Sequence, residues 1–153
     1  MLMKDKTIDY VLRTTWLVVN KMYNEEASQF GTTMSTGFAL LSIDPEKGTP
    51  STSLGPKMGM EATSLSRTLK TMEDKGLIIR KPNPEDGRGV LIFLTDFGKE
   101  KRAYSKEKVL TFNNTIKNNV SSEELINFYK VADVINNMIS NKQIYNQKEH
   151  TLK

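Results

Sequence analysis

Apolar residues in the first thirty positions recur at three- and four-residue steps: Ile8, Val11, Leu12, Trp16, Val19, Met22 and Tyr23. That period predicts an amphipathic helix from about Asp5 to Gln29, ended by Gly31. Thr32 and Thr33 suit the cap of a second helix through Met34, Phe38, Leu41 and Ile43, after which Asp44-Pro-Glu-Lys-Gly48 reads as a turn. Thr49 before Pro50 predicts a cap and first position for a short third helix that stops at Met58-Gly59. A fourth helix is expected from Glu61 to Lys75, with Gly76 as its C-terminal stop.

The period then changes. Leu77–Lys81 and Val90–Leu94 are short β-prone runs around Pro82-Asn-Pro-Glu-Asp-Gly-Arg-Gly89, which predicts a β-hairpin with a long tip. Thr95 is placed to cap a fifth helix from Asp96 to Lys117, carrying Phe97, Tyr104, Val109, Phe112 and Ile116. Ser121-Ser-Glu-Glu124 fits a capping box for a sixth, through Leu125, Phe128, Ala132, Ile135 and Ile139 to about Asn141. A polar tail, residues 142–153, follows. The expected class is mainly α with a small β-hairpin wing: one domain, with a winged helix-turn-helix lobe over about 34–98 and long flanking helices over about 5–29 and 96–141.

On the fourth helix Ala62, Leu65, Leu69 and Met72 share one face and should pack. Thr63, Arg67 and Lys70 point the other way, with Ser64 and Thr71 beside them and Ser66 at the boundary. Any surface helix has a polar outer face. Here, however, that face carries no carboxylate between Ala62 and Thr71, and the helix follows a short helix and a glycine turn. Small hydroxyl side chains let a backbone approach the major groove, and Arg67 can reach a guanine edge or a phosphate. At the hairpin tip, Arg88 stands between Gly87 and Gly89, a form suited to a narrow minor groove, and Asp86 is near enough to hold its guanidinium.

Composition narrows the chemistry. The 153 residues contain no cysteine, which excludes disulfides, thiol catalysis and thiol redox sensing. The single histidine, His150, lies in the polar tail without a second histidine to share a metal, so no metal site or cofactor is expected. No apolar run approaches the ~18–20 residues of a membrane span, and the N-terminus lacks the order of a signal peptide, so a cytoplasmic location is expected. A net charge of +4 is compatible with a polyanionic partner but too mild to indicate one. Asp86-Gly-Arg-Gly89 lacks the lysine-serine/threonine ending and following helix of a phosphate-binding loop, so the chain is not read as an enzyme. A winged-helix module that binds protein or RNA is the alternative reading.

Leu54-Gly-Pro-Lys-Met-Gly59, Met72-Glu-Asp-Lys-Gly-Leu-Ile78, Arg80, Asp86-Gly-Arg88 and Val90-Leu-Ile-Phe-Leu-Thr95-Asp-Phe-Gly98 resemble successive landmarks of the MarR family of transcriptional regulators. The resemblance implies a homodimer intertwined through the first, fifth and sixth helices. Two winged lobes would read a pseudo-palindromic double-stranded DNA operator, with half-sites about 10 bp apart. It assigns Thr63, Ser64, Ser66, Arg67 and Lys70 to the major groove and backbone, Arg88 to the minor groove, and Asp86 to orienting Arg88. The commoner outcome in such a family is a repressor released by a small aromatic, carboxylate or acyl ligand, for which Trp16, Asn20, Tyr23 and Phe38 are the candidate pocket. These residues sit at core spacing, which favours plain packing as the role of most of them. The chain departs from the pattern at Gly55 and Pro56, and Pro56 is expected to kink or shorten the third helix.

Overall fold

The computed structural model describes residues 6–146, apart from the side chain of Arg88. The elements are α1 (Ile8–Ser28), α2 (Met34–Ser42), β1 (Thr49–Pro50), α3 (Ser51–Met58), α4 (Ala62–Asp74), β2 (Ile78–Asn83), β3 (Asp86–Leu94), α5 (Asp96–Lys117) and α6 (Ser122–Ser140). The mainly helical class with a small antiparallel sheet is therefore as expected. Asp5, and the tail beyond residue 146 with His150, lie outside the described residues. The chain divides into two compact units, residues 1–108 and 109–153.

Local chemistry sets most of the boundaries. The Thr7 hydroxyl accepts the Tyr10 N–H at the start of α1, and the Thr33 hydroxyl accepts the Thr36 N–H at the start of α2. Each satisfies a donor that the first helical turn leaves without a partner. Gly31, Gly59 and Gly76 end α1, α3 and α4 at φ values of 68°, 62° and 73°, a region that residues with a Cβ avoid.

Two expectations about the sheet need correction. Thr49 and Pro50 are not the cap and first residue of α3: Pro50 stands at the cap position, without a side-chain bond, and the two form β1, which pairs antiparallel with β3 through Thr49↔Ile92 and Pro50↔Leu91. The sheet is thus three-stranded, in the order β1-β3-β2. Proline is accepted because β1 is an edge, where a missing N–H breaks no ladder. The buried Thr49 also accepts the Asp44 N–H through its hydroxyl at 2.8 Å, closing the turn after α2. Secondly, the hairpin tip is short. β2 continues through Pro82 and Asn83, and β3 begins at Asp86, with a register shift between Pro82 and Asn83 absorbing the irregularity.

The core of the larger unit is Ala39, Leu40, Ile43, Leu54, Leu65, Leu69, Met72, Leu77, Ile78, Ile92 and Leu94. It joins α2, α3 and α4 to the inner face of the sheet, and each large side chain there contributes about 1.5–3 kcal/mol on burial. In the same unit the Tyr104 ring of α5 lies 3.9 Å from that of Phe30, and Lys108 pairs with Glu26 of α1 at 3.1 Å. In the smaller unit α6 opens on the full capping box: Glu124 N–H donates to the Ser121 hydroxyl, and Ser121 N–H to the Glu124 carboxylate.

Candidate nucleic-acid interface

The side of α4 that faces the core is fixed by Leu65, Leu69 and Met72, all buried. Ala62, expected on that face, is exposed instead: as the first residue of the helix it overhangs a groove of about 460 Å³ bordered by Ser51, Thr52, Pro56, Ser66 and Arg80. The anchored face leaves Thr63, Ser64, Ser66, Arg67 and Lys70 all exposed: Thr63, Arg67 and Lys70 on the opposite side, Ser64 beside them, and Ser66 at the boundary, where it borders the groove. Thr71 is exposed too, but its hydroxyl donates to the Arg67 carbonyl at 3.0 Å.

The entry to α4 explains the unusual Gly55-Pro56 pair. The Met60 N–H donates to the Gly55 carbonyl, and a Cβ on Gly55 would lie 3.3 Å from the Met60 carbonyl oxygen. Gly55 therefore lets the turn close tightly against α3. Pro56 lies inside α3, which runs on to Met58, and its carbonyl accepts the Gly59 N–H. Glu61 caps α4 by backbone geometry, without a hydrogen bond from its side chain.

Beside α4 stands the hairpin. On β2, Ile78 and Arg80 alternate with Ile79 and Lys81, so Arg80 lies on the face of the buried Ile78 and Ile92. Its Nε meets Glu73 Oε2 of α4 at 3.2 Å. The sequence does not reveal this pair, since it marks Arg80 only as a landmark of the resemblance. At the tip, Asn83 accepts the Glu85 N–H, and the Asp86 carboxylate is turned back toward Gly89. A Cβ on Gly89 would lie 3.1 Å from Asp86 Oδ2, whereas one on Gly87 would meet nothing within 4 Å. Arg88 is in β3 by its backbone, and its side chain is outside the described part.

The four candidate pocket residues lie on α1 and α2. Tyr23 and Phe38 meet edge to face at 5.7 Å between centroids, and burial raises the Tyr23 phenol above its ordinary value. Asn20 is half-buried, and its side-chain oxygen accepts from Asn24 at 2.6 Å; Asn24 in turn accepts the Met34 N–H. Trp16 is about half exposed, at 51%. Among the described residues no cluster of three or more His, Cys, Asp or Glu could hold a metal, and no helix is long and apolar enough to cross a membrane.

A short helix, a left-handed glycine turn, a helix with a bare polar face and a hairpin beside it together make a winged helix-turn-helix. A family model described as the MarR family matches residues 32–90, from just before α2 into β3 of the wing. The chain is 35% identical over 88 residues to the uncharacterized HTH-type transcriptional regulator YdgJ of Bacillus subtilis, covering 58% of this chain and 54% of that protein. It is 33% identical over 98 residues to the organic hydroperoxide resistance transcriptional regulator of the same organism, covering 64% of each. The matches thus span between half and two thirds of those relatives. A crystal structure of an S. aureus MepR–DNA complex is similar in fold, with a TM-score of 0.74 at 21% identity, over 91% of this chain and all of that one. The winged-helix segment over residues 32–90 is thus of the MarR type, and both of these curated relatives are named as transcriptional regulators.

Proposed function

We propose that the protein is a sequence-specific regulator of transcription that binds double-stranded DNA as a homodimer in the cytoplasm. The observation that carries this reading is the exposed row Thr63, Ser64, Ser66, Arg67 and Lys70 on a helix anchored from behind by Leu65, Leu69 and Met72. α4 enters the major groove. The wing reaches the adjacent minor groove with Arg88, and Asp86 holds that arginine in place.

The dimer is supported by apolar side chains left in solvent. On α1, Ile8, Leu12, Trp16 and Leu17 are exposed, and on α6 Phe128, Val131, Val134 and Ile139 are each more than half exposed. Scattered exposed apolar residues are ordinary, whereas rows of them along two helices mark an interface. Two lobes related by a two-fold axis then read a pseudo-palindromic operator.

Regulation is proposed to be repression, relieved by a small aromatic, carboxylate or acyl ligand near Trp16, Asn20, Tyr23 and Phe38. Another structure of similar fold, the PcaV regulator of Streptomyces coelicolor, contains its natural ligand. Fluorescence anisotropy with a duplex from upstream of the protein's own coding sequence tests the DNA reading. Binding should weaken steeply with salt, and Arg67→Ala and Arg88→Ala should each cost about 1–3 kcal/mol. Wild-type affinity in both variants would remove these residues from the interface.

A further inference from the structure

α4 ends in a Schellman motif. The Gly76 N–H donates to the Glu73 carbonyl at 3.0 Å and the Leu77 N–H to the Met72 carbonyl at 2.9 Å. The motif leaves the carbonyls of Gly76 and Leu77 themselves to find partners, and both turn to one residue. The Thr95 hydroxyl lies 2.6 Å from the Gly76 carbonyl oxygen and 3.1 Å from that of Leu77, and the Thr95 N–H donates to the Leu77 carbonyl at 3.0 Å. The same hydroxyl oxygen accepts the Gly98 N–H at 3.0 Å, which caps α5. Gly98 is buried, and a Cβ there would fall on the Leu77 carbonyl oxygen.

One hydroxyl thus joins four things: the exit of α4, the root of β2, the end of β3 and the first turn of α5. A hydroxyl has one proton to donate and lone pairs to accept; here it accepts locally, from Gly98, and donates to carbonyls nearly twenty residues earlier in the chain. Capping α5 requires only acceptance from Gly98. Donation to Gly76 is an additional bond, and its acceptor belongs to the end of the helix that carries Arg67 and Lys70.

We infer that Thr95 and Gly98 are positioning residues for DNA binding: they clamp the exit of α4 and the wing root to the start of α5, so that α4 and the wing meet DNA in one fixed geometry. The inference rests on the DNA-binding reading above for its consequence, and on the clamp geometry alone for its mechanism. Thr95→Val keeps the branched shape and loses the hydroxyl, Thr95→Ser keeps the hydroxyl, and Gly98→Ala forces the first turn of α5 off Leu77.

Two measurements on the full chain test it. Because the protein has no native cysteine, nitroxides at Lys70→Cys and Lys106→Cys, diluted with unlabelled protein, report the α4–α5 distance without DNA. The distribution should be equally narrow in wild type and Thr95→Ser and broader in Thr95→Val; an unchanged width in Thr95→Val overturns the clamp whether or not DNA is bound. With the upstream duplex, well below the unfolding temperature, Thr95→Val and Gly98→Ala should bind about tenfold more weakly, and Thr95→Ser should bind like wild type. Their salt dependence should be shallower by about one phosphate contact. Weaker binding with an unchanged salt slope would mean that the hydroxyl contributes stability alone, and would overturn the positioning role. Failure of the wild type to bind any duplex counts against the DNA reading, while the distance measurement still decides the clamp.

Discussion

At the scale of single residues, two glycines carry expectations that their neighbours do not. Gly89→Ala brings a methyl group to 3.1 Å from the Asp86 carboxylate, while Gly87→Ala enters open space. DNA affinity should therefore fall in the first variant and change little in the second, which a paired gel-shift titration reads directly. Gly48 has φ +72° and would place a Cβ 2.8 Å from the Phe93 ring. Gly48→Ala should destabilise the fold by about 1–3 kcal/mol in urea denaturation, through the backbone region and the overlap together. Asp44 gives a pH dependence. N–H groups of Lys47 and Glu46 donate to its carboxylate and hold its pKa below the ordinary 3.8. A depressed folded pKa stabilises above pH 3.8, and the effect is lost as pH falls through the lowered value. The melting-temperature gap between wild type and Asp44→Ala should accordingly be full near neutral pH and close below 3.8.

At the scale of elements, what was legible in the sequence followed from short-range chemistry. Thr33, Gly59, Gly76, Thr95 and Ser121 mark helix ends because each cap bonds within a few residues, and the ends fall where those residues predict. Ser121→Ala removes one half of the capping box and should cost about 0.5–2 kcal/mol, measured as a lowered melting temperature. What was not legible depended on distant partners. Thr49-Pro50 reads locally as a helix start and becomes a strand only because Leu91 and Ile92 lie alongside it. Pro82, Gly87 and Gly89 have poor strand propensity, yet they extend the hairpin because the ladder begun at Ile78↔Leu94 carries them. The polar row of α4 was visible from helical period, because Leu65, Leu69 and Met72 fix the helix's rotation. The Glu73–Arg80 pair was not, since it needs the angle between a helix and a strand. Thr95 is legible as a cap, whereas its second bond, to Gly76, depends on a carbonyl nineteen residues away.

At the scale of the whole molecule, the exposed apolar rows of α1 and α6 have a direct test. On the proposed dimer, Phe128→Asp should shift sedimentation toward monomer and weaken binding to the proposed operator with it, since each half-site would then be bound alone. An unchanged dimer would move the interface elsewhere. The sheet has a different bearing on association. Its two outer strands are β1, only two residues long and including Pro50, and β2, which carries Arg80, Lys81 and Pro82. Short length, a missing N–H and positive charge all discourage a second chain from adding a strand at either border. Intermolecular β-pairing, the first step toward fibrils, is therefore obstructed at both margins of the wing, which leaves a concentrated solution of this protein free to associate through its helices.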